Sequence, residues 1–448
     1  MEKALKIAVA GAGFSGSLVA LHILRSNPSA TVVLIERAAE FGRGLAYGTC
    51  DPKHLLNVRA SNMSAFPEDP DHFIKWLALH MPPHSRPQSF VPRYIFGTYL
   101  QSLLRATLAT DDGAERLIIL PDEVTALLDR PEGIGLRLAM GREIDVDHVV
   151  LATGHLPSHD LPGFEQDLLD SSVYIRDPWA PHALAQVQPS ENVLLIGAGL
   201  TAVDVLLGLD RAGHNGNIVA ISRRGLKPRP HADVGPAPLA LDIPAGLPLS
   251  GLVRLVRRAA AVSGDWRAAA DGLRPHAQRL WREASSTERS RFLRHLRPWW
   301  EVHRHRMAPP VATAIASLER FGRLSVRAGK ITRARLDNEE ALVSWRPRGQ
   351  ANEEQIRFSR IVNCTGPAGN VQKATSPFLA DLISRGRARA DAQGLGIEVD
   401  AQCRLVAADG TPNPRITAIG PMSRGAFWEI TAVPDIRVQA SMVAERLA

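Results

Sequence analysis

The chain has 448 residues, a formal charge of +7, 45% hydrophobic and 22% charged residues. That is ordinary globular usage, enough for about two or three domains, and it excludes a disordered tail, a collagen and a miniature disulfide scaffold. The basic residues are dispersed without a long run, so the positive balance favours anionic small molecules over nucleic acid.

The first element starts at once. Leu5–Ala10 is a short apolar run, as a buried parallel strand requires. Gly11-Ala12-Gly13-Phe14-Ser15-Gly16 follows, a GxGxxG turn, and Ser17–Leu24 has helical character that Pro28 ends. Thr31–Glu36 reads as a second strand with an acidic end. The spacing has a physical reason: Gly11 permits the tight turn, Gly13 admits a pyrophosphate to the backbone N–H groups, and Gly16 lets helix and strand pack closely. Glu36 lies 20 residues after Gly16, where a carboxylate accepts ribose hydroxyls. Gly11, Gly13, Phe14, Ser15, Gly16, Glu36 and the adjacent Arg37 are therefore assigned to cofactor binding. Ile7–Leu24 carries no charge, but the glycine turn inside it argues against a membrane span or signal segment, and none is expected elsewhere.

A polar, glycine-rich segment runs from Gly42 to Val58. His148–Gly154 is an apolar strand ending in Ala-Thr-Gly, which adds Thr153 and Gly154 to the cofactor set. A second unit opens with the strand Val193–Ile196 and Gly197-Ala198-Gly199-Leu200-Thr201-Ala202, a GxGxxA turn leading to a helix near Arg211. Gly197, Gly199, Leu200, Thr201 and Ala202 are the matching phosphate cradle. Its second strand, Ile218–Ser222, ends at Arg223-Arg224 instead of a carboxylate. Arginines there suit a 2′-phosphate and favour NADPH over NADH. Asp204 reads as a residue that only helps the helix dipole. A proline-rich loop follows from Gly225 to Pro248, then a helical, arginine-rich stretch over 252–318 with Trp281, Trp299 and Trp300. Ile361–Pro367 resembles the first strand-and-turn crossing, and Ile416–Pro421, with Gly420 and Pro421, precedes a helix over Pro434–Leu447.

Two such units in one chain resemble flavoproteins with two dinucleotides, the N-terminal site for FAD and the inserted one for NAD(P)H. GLAYGTCDPKHLLNVRASNMSAFPEDPDHFIKWL (Gly44–Leu77), preceded by Gly42-Arg43, together with LRPWWEVHRHRMAP (Leu296–Pro309), is similar to the FAD/NAD(P)-binding monooxygenases of the urate hydroxylase and aspartate N-monooxygenase type. The resemblance spans nearly the whole chain. It implies reduction of FAD by NAD(P)H, activation of O2 and oxygen transfer, which ask the protein to hold the flavin, exclude water and orient the substrate.

The expected fold is α/β, with two Rossmann-like dinucleotide-binding domains, the second inserted in the first. Residues 1–155 and 331–448 are the two parts of the FAD domain, and 160–330 the NAD(P)H domain with its helical excursion. The leading expectation is hydroxylation of a small anionic nitrogenous substrate, urate to 5-hydroxyisourate. N-hydroxylation of an amino acid or amine such as aspartate is the alternative, and a flavin reductase or oxidase that makes peroxide or feeds a partner is another. His54 and Asn57 are the candidates for catalytic contact at the flavin edge; His303 and Arg306, three apart on one helical face, are the candidates for an anionic substrate. Asp51 and Asp69 precede prolines and read as turn residues. Arg59 and Arg93 are secondary anion candidates. Cys50, Cys364 and Cys403 form no CxxC pair, which fits a reducing cytoplasm, and no metal is expected. The expected partners are O2 and a small molecule, with no nucleic acid and no membrane.

Overall fold

The computed structural model describes residues 5–38, 40–367, 371 and 376–448. In chain order the strands are β1 (Lys6–Ala10), β2 (Thr31–Ile35), β3 (Leu117–Leu120), β4 (Val124–Asp129), β5 (Ile134–Leu138), β6 (Glu143–Val146), β7 (His148–Leu151) and β8 (Tyr174–Ile175). Then come β9 (Val193–Ile196), β10 (Ile218–Ser222), β11 (Leu324–Asp337), β12 (Glu340–Pro347), β13 (Glu354–Phe358), β14 (Arg360–Asn363), β15 (Arg404–Val406) and β16 (Pro412–Ala418).

They form two mainly parallel sheets. The first has the order β15-β16-β7-β1-β2-β3, so residues from both ends of the chain share it. The second has the order β13-β12-β11-β10-β9-β14-β8. A three-stranded antiparallel sheet, β4-β5-β6, spans the connection from β3 to β7. The central strands are apolar throughout because both faces are covered: four of the five residues of β1 and all four of β9 are buried. On one face of the first sheet the helix Phe14–Ser26 packs against the C-terminal helix Val433–Leu447, through Leu18, Ile23, Ile436, Ala440 and Val443.

The second sheet runs further along the chain than the sequence suggests. A boundary near residue 330 cuts β11, whose first half pairs parallel with β10 and whose second half pairs antiparallel with β12. β14 then returns beside β9, so the second sheet ends at Asn363. Periodicity could not show this, because one 14-residue strand serves two pairings.

The stretch between β10 and β11 is helical, as expected, and contains helices Leu249–Ser263, Trp266–Leu273, Ala277–Glu283, Ser286–Arg291, Arg297–Arg304 and Pro309–Arg320. Local signals set its breaks. Gly264 ends one helix at φ +72°, Asp265 caps the next by accepting from Arg267 N at 2.8 Å, and Ser285 with Glu288 makes a capping box. The excursion folds back onto the C-terminal segment of the first unit. Trp281 stacks on Trp428 with ring centroids 4.7 Å apart, and its indole N–H donates to Gly425 O at 2.8 Å.

Candidate functional site

Each parallel sheet carries the same device at the carboxyl ends of its strands. In the first unit Gly11 has φ +101°, and a Cβ there would sit 2.6 Å from Ala152 O. In the second, Gly197 has φ +108°, and a Cβ would sit 2.6 Å from Cys364 O. Both glycines let a turn pass tightly under the neighbouring crossing, and neither can be replaced without moving backbone. Gly154 and Gly366, which end those crossings, have φ +72° and +80° with open space beside them. The helices that follow, Phe14–Ser26 and Leu200–Arg211, begin at Gly13 and Gly199 with no side-chain cap and no acid in the first turn. Their first N–H groups are thus left for an anion.

Glu36 stands at the mouth of the first cradle. Its carboxylate accepts from Ala12 N at 2.8 Å and Ala38 N at 3.0 Å. Ser15 is buried beside Gly420, where a Cβ would come within 2.4 Å of Ser15 Oγ. Gly420 N donates to Gln439 Oε1 at 2.7 Å, so the C-terminal helix fixes this loop against the cradle. Gln439 was not singled out in the sequence, since one glutamine in an amphipathic helix gives no signal. Phe14 offers only its backbone; its ring packs on Tyr47 and Phe96. Arg37 is exposed and lies 3.6 Å from Glu123. In the second unit Leu200 and Thr201 open the helix and Ala202 is buried. Arg223 is exposed, Arg224 is half-buried, and neither guanidinium bonds a described residue.

The block 51–59 does something other than expected. It clamps the first unit to the helix Leu200–Arg211 and the loop after β10. Arg93 holds Asp204 with two bonds, 2.7 Å and 3.1 Å, and both side chains are largely buried. His54 Nε2 lies 3.0 Å from Asp204 O and its Nδ1 lies 2.7 Å from Thr49 Oγ1. Arg211 pairs with Asp51 at 2.9 Å and Lys53 with Asp210 at 3.2 Å. Arg59 donates to Ala232 O at 2.7 Å, and His231 meets Asn57 O at 3.0 Å. His54 is therefore buried with both ring nitrogens engaged. Asp204 is not a dipole helper but half of an ion pair between the units. Asn57 gives its carbonyl to the clamp; its amide bonds no described residue. Burial pulls the His231 pKa down to about 4, with Arg306 and Arg59 adding to the effect, so the ring is neutral and fits between those cations.

His303 and Arg306 are not brought together as an anion site. The helix ends at Arg304, so the expected shared face is lost. Arg306 is 2% exposed and makes two bonds to Asp271, at 3.0 Å and 2.7 Å. Its Nε donates to the His303 carbonyl at 2.7 Å. The His303 ring meets Trp299 O at 2.7 Å. Arg306 is thus consumed by the fold of the excursion.

Cys50, Cys364 and Cys403 are free. Burial pushes the Cys364 thiol up, and pushes Cys403 up to about 12, so both stay protonated and inert. Among the described residues no group of three or more His, Cys, Asp or Glu could hold a metal, and no helix is long and apolar enough to cross a membrane.

Residues 8–156 match the family described as FAD-NAD(P)-binding. No curated protein matches the chain. Among solved structures, the reduced form of ornithine hydroxylase from Pseudomonas aeruginosa is similar at a TM-score of 0.66 and 16% identity, over 99% of this chain and 98% of that one. L-lysine 6-monooxygenase from Pseudomonas syringae is similar at 0.66 and 15% identity, over 99% of each chain. Thioredoxin reductase from T. acidophilum is similar at 0.54 and 13%, over 99% of this chain and 96% of that one. The chain has the two-unit dinucleotide-binding fold of these enzymes. Identities this low carry the fold alone.

Proposed function

We propose that the chain is an FAD-dependent, NADPH-consuming monooxygenase that hydroxylates the nitrogen of an amino acid or small amine. The observation that carries this reading is the pairing of two cradles, each shaped for a diphosphate, at the carboxyl ends of two sheets clamped together by Arg93 and Asp204. In this reading the first unit, residues 1–155 with the C-terminal part, holds FAD through the turn Gly11–Gly16, Glu36, Thr153, Gly154, Gly420 and Pro421. The fit rests on Gly11, Gly16 and Gly420, whose missing Cβ lets the turn pack against Ala152, its own helix and Ser15, and on the open space beside Gly154. The second unit holds the nicotinamide nucleotide through Gly197–Ala202, with Arg223 and Arg224 free to meet a 2′-phosphate.

FAD, when bound, supplies the redox and oxygen chemistry. The protein's part is to fix the two nucleotides relative to each other, and the largely buried pair Arg93–Asp204, with His54 beside it, does so. Similarity from end to end with an ornithine hydroxylase and a lysine monooxygenase supports nitrogen as the hydroxylated atom. Nothing comparable supports urate, which becomes the second reading. A reductase of the dithiol type would need a redox pair of cysteines, and the three cysteines form no pair.

FAD-loaded protein should consume NADPH in air faster with its substrate than without, and yield a hydroxylamine. L-aspartate, L-ornithine, L-lysine and urate are the first panel. Urate-dependent consumption with urate loss would replace this reading, and consumption that yields only peroxide with every compound would remove it.

A further inference from the structure

A cleft of about 90 Å3 opens where the first crossing, the C-terminal segment and the helical excursion meet. Gly154 and His155 line it from the crossing, Leu395 and Pro421 from the C-terminal segment, and Arg297 and Arg424 add two cations. Arg304 pairs with Glu429 at 3.0 Å, Arg274 with Asp435 at 3.2 Å, and Arg297 with Glu301 at 2.7 Å. The remaining carboxylate, Asp391, accepts from the backbone N–H groups of Gln393, Leu395 and Gly396, so Arg424 is left without a carboxylate of its own.

Its guanidinium lies 4.6 Å over the Trp428 ring, a face that accepts no ordinary hydrogen bond. Its approach to Glu301, at 3.8 Å, is to an oxygen already bonded by Arg297. The side chain is 14% exposed, and its Nε is buried without a hydrogen-bond partner. Arg297 uses Nε for Glu301 and has no hydrogen bond from its terminal nitrogens to a described residue. Burial, then the charge of Arg297, pulls the Arg424 pKa down to about 10, which still leaves it a cation at neutral pH. His155 lines the exposed rim of the cleft. A buried guanidinium with unused donors is costly unless an anion meets it.

We propose that the Arg297–Arg424 cleft is an oxyanion site, which takes a carboxylate or phosphate group against the unpaired edges of the two guanidinium groups. Planar forks suit such an anion because each presents two parallel N–H donors. The anion is the charged group of a second small molecule, since the diphosphate of the first nucleotide is assigned to the turn Gly11–Gly16. This assignment does not depend on the reaction the chain performs.

The test uses sulfate as the probe. Melting of FAD-loaded and of flavin-stripped protein is followed as sulfate replaces chloride at matched ionic strength, for the wild type, Arg424→Met and Arg297→Met. We expect a saturable rise of about 2 °C in the wild type, lost in both variants. Should a methionine variant fail to fold, Arg424→Lys keeps the charge without the fork, and its sulfate midpoint should rise about tenfold, as for one lost charge-assisted bond. A response that survives FAD loading keeps the site for a second ligand; one seen only in stripped protein places the ion in the flavin's own site and overturns the proposal. Variants that keep the wild-type response, or a wild type that cannot tell sulfate from chloride, overturn the site.

Discussion

The two dinucleotide units follow one plan and part from it at three places. Both hang a GxGxx turn from an apolar strand, and both pass the first glycine under a crossing carbonyl at the same 2.6 Å. In both, that glycine's N–H donates 2.8 Å to the end of the next strand, Ile35 O in one and Ile221 O in the other. They differ first at the third small residue. A Cβ on Gly16 would fall 1.8 Å from Gly11 O, whereas Ala202 already carries one. The first turn is wound more tightly on its own helix. They differ next at the strand end, Glu36 against Ser222-Arg223-Arg224. They differ last in what closes them. The first cradle is closed by the chain's own C-terminal helix through Gln439, and the second is held by the clamp from the first unit. In the proposed reading the shared backbone device takes the two diphosphates, and the differences set which nucleotide each unit holds.

The largest effect expected is at the tight turn. Gly16→Ala should abolish flavin retention, because backbone must move to admit the methyl, while Ala202→Gly should leave a yellow protein destabilised by about 1 kcal/mol. Flavin absorbance per protein after gel filtration decides it. If Gly16→Ala stays yellow, the packing distinction between the units falls.

Next comes the clamp. Arg93→Met leaves Asp204 a buried, unpaired carboxylate and should cost about 3 kcal/mol, with most of it recovered in Arg93→Met/Asp204→Leu. Flavin reduction by NADPH should stay slow in that double variant, since stability returns but the orientation of the units does not. Stopped-flow reduction beside urea melts separates the two. A double variant reduced at the wild-type rate would make the clamp merely structural.

The strand-end difference is tested by Arg223→Ala. Loss of a charge-assisted contact worth about 1.5–3 kcal/mol should raise the KM for NADPH about ten- to a hundredfold and leave NADH unchanged. Equal effects on both would remove the 2′-phosphate assignment.

An effect on acid stability is also expected. The His231 pKa falls from 6.5 to about 4 in the folded chain. Above 6.5 the ring is neutral in both states and contributes nothing; below it the unfolded chain takes up a proton that the folded one refuses. Stability should therefore drop as pH falls from 6.5 towards about 4 and level off beneath, a slope shared with His22, His72, His148 and His214, which burial also lowers. His231→Asn should flatten part of that slope in pH-dependent melts, and an unchanged slope would show that the ring does not remain neutral.

The sequence by itself determined both cradles. The residues that make them are consecutive, and their order follows from the turn, the phosphate and the helix, so Gly11–Gly16, Glu36 and Gly197–Ala202 could be read without a fold. The helical character of the excursion and of the C-terminal segment was legible for the same reason, since periodicity is local. Only the tertiary structure decided the rest. His54 looked catalytic because a polar histidine in a glycine-rich loop has free nitrogens until Thr49 and Asp204 take them. Arg306 looked available until Asp271 took it. Arg93 and Asp204 are 111 positions apart, and Arg424 and Arg297 lie on different elements, so no spacing could pair them. A side chain's role depends on which partners satisfy its donors and acceptors, and folding supplies those partners from distant parts of the chain.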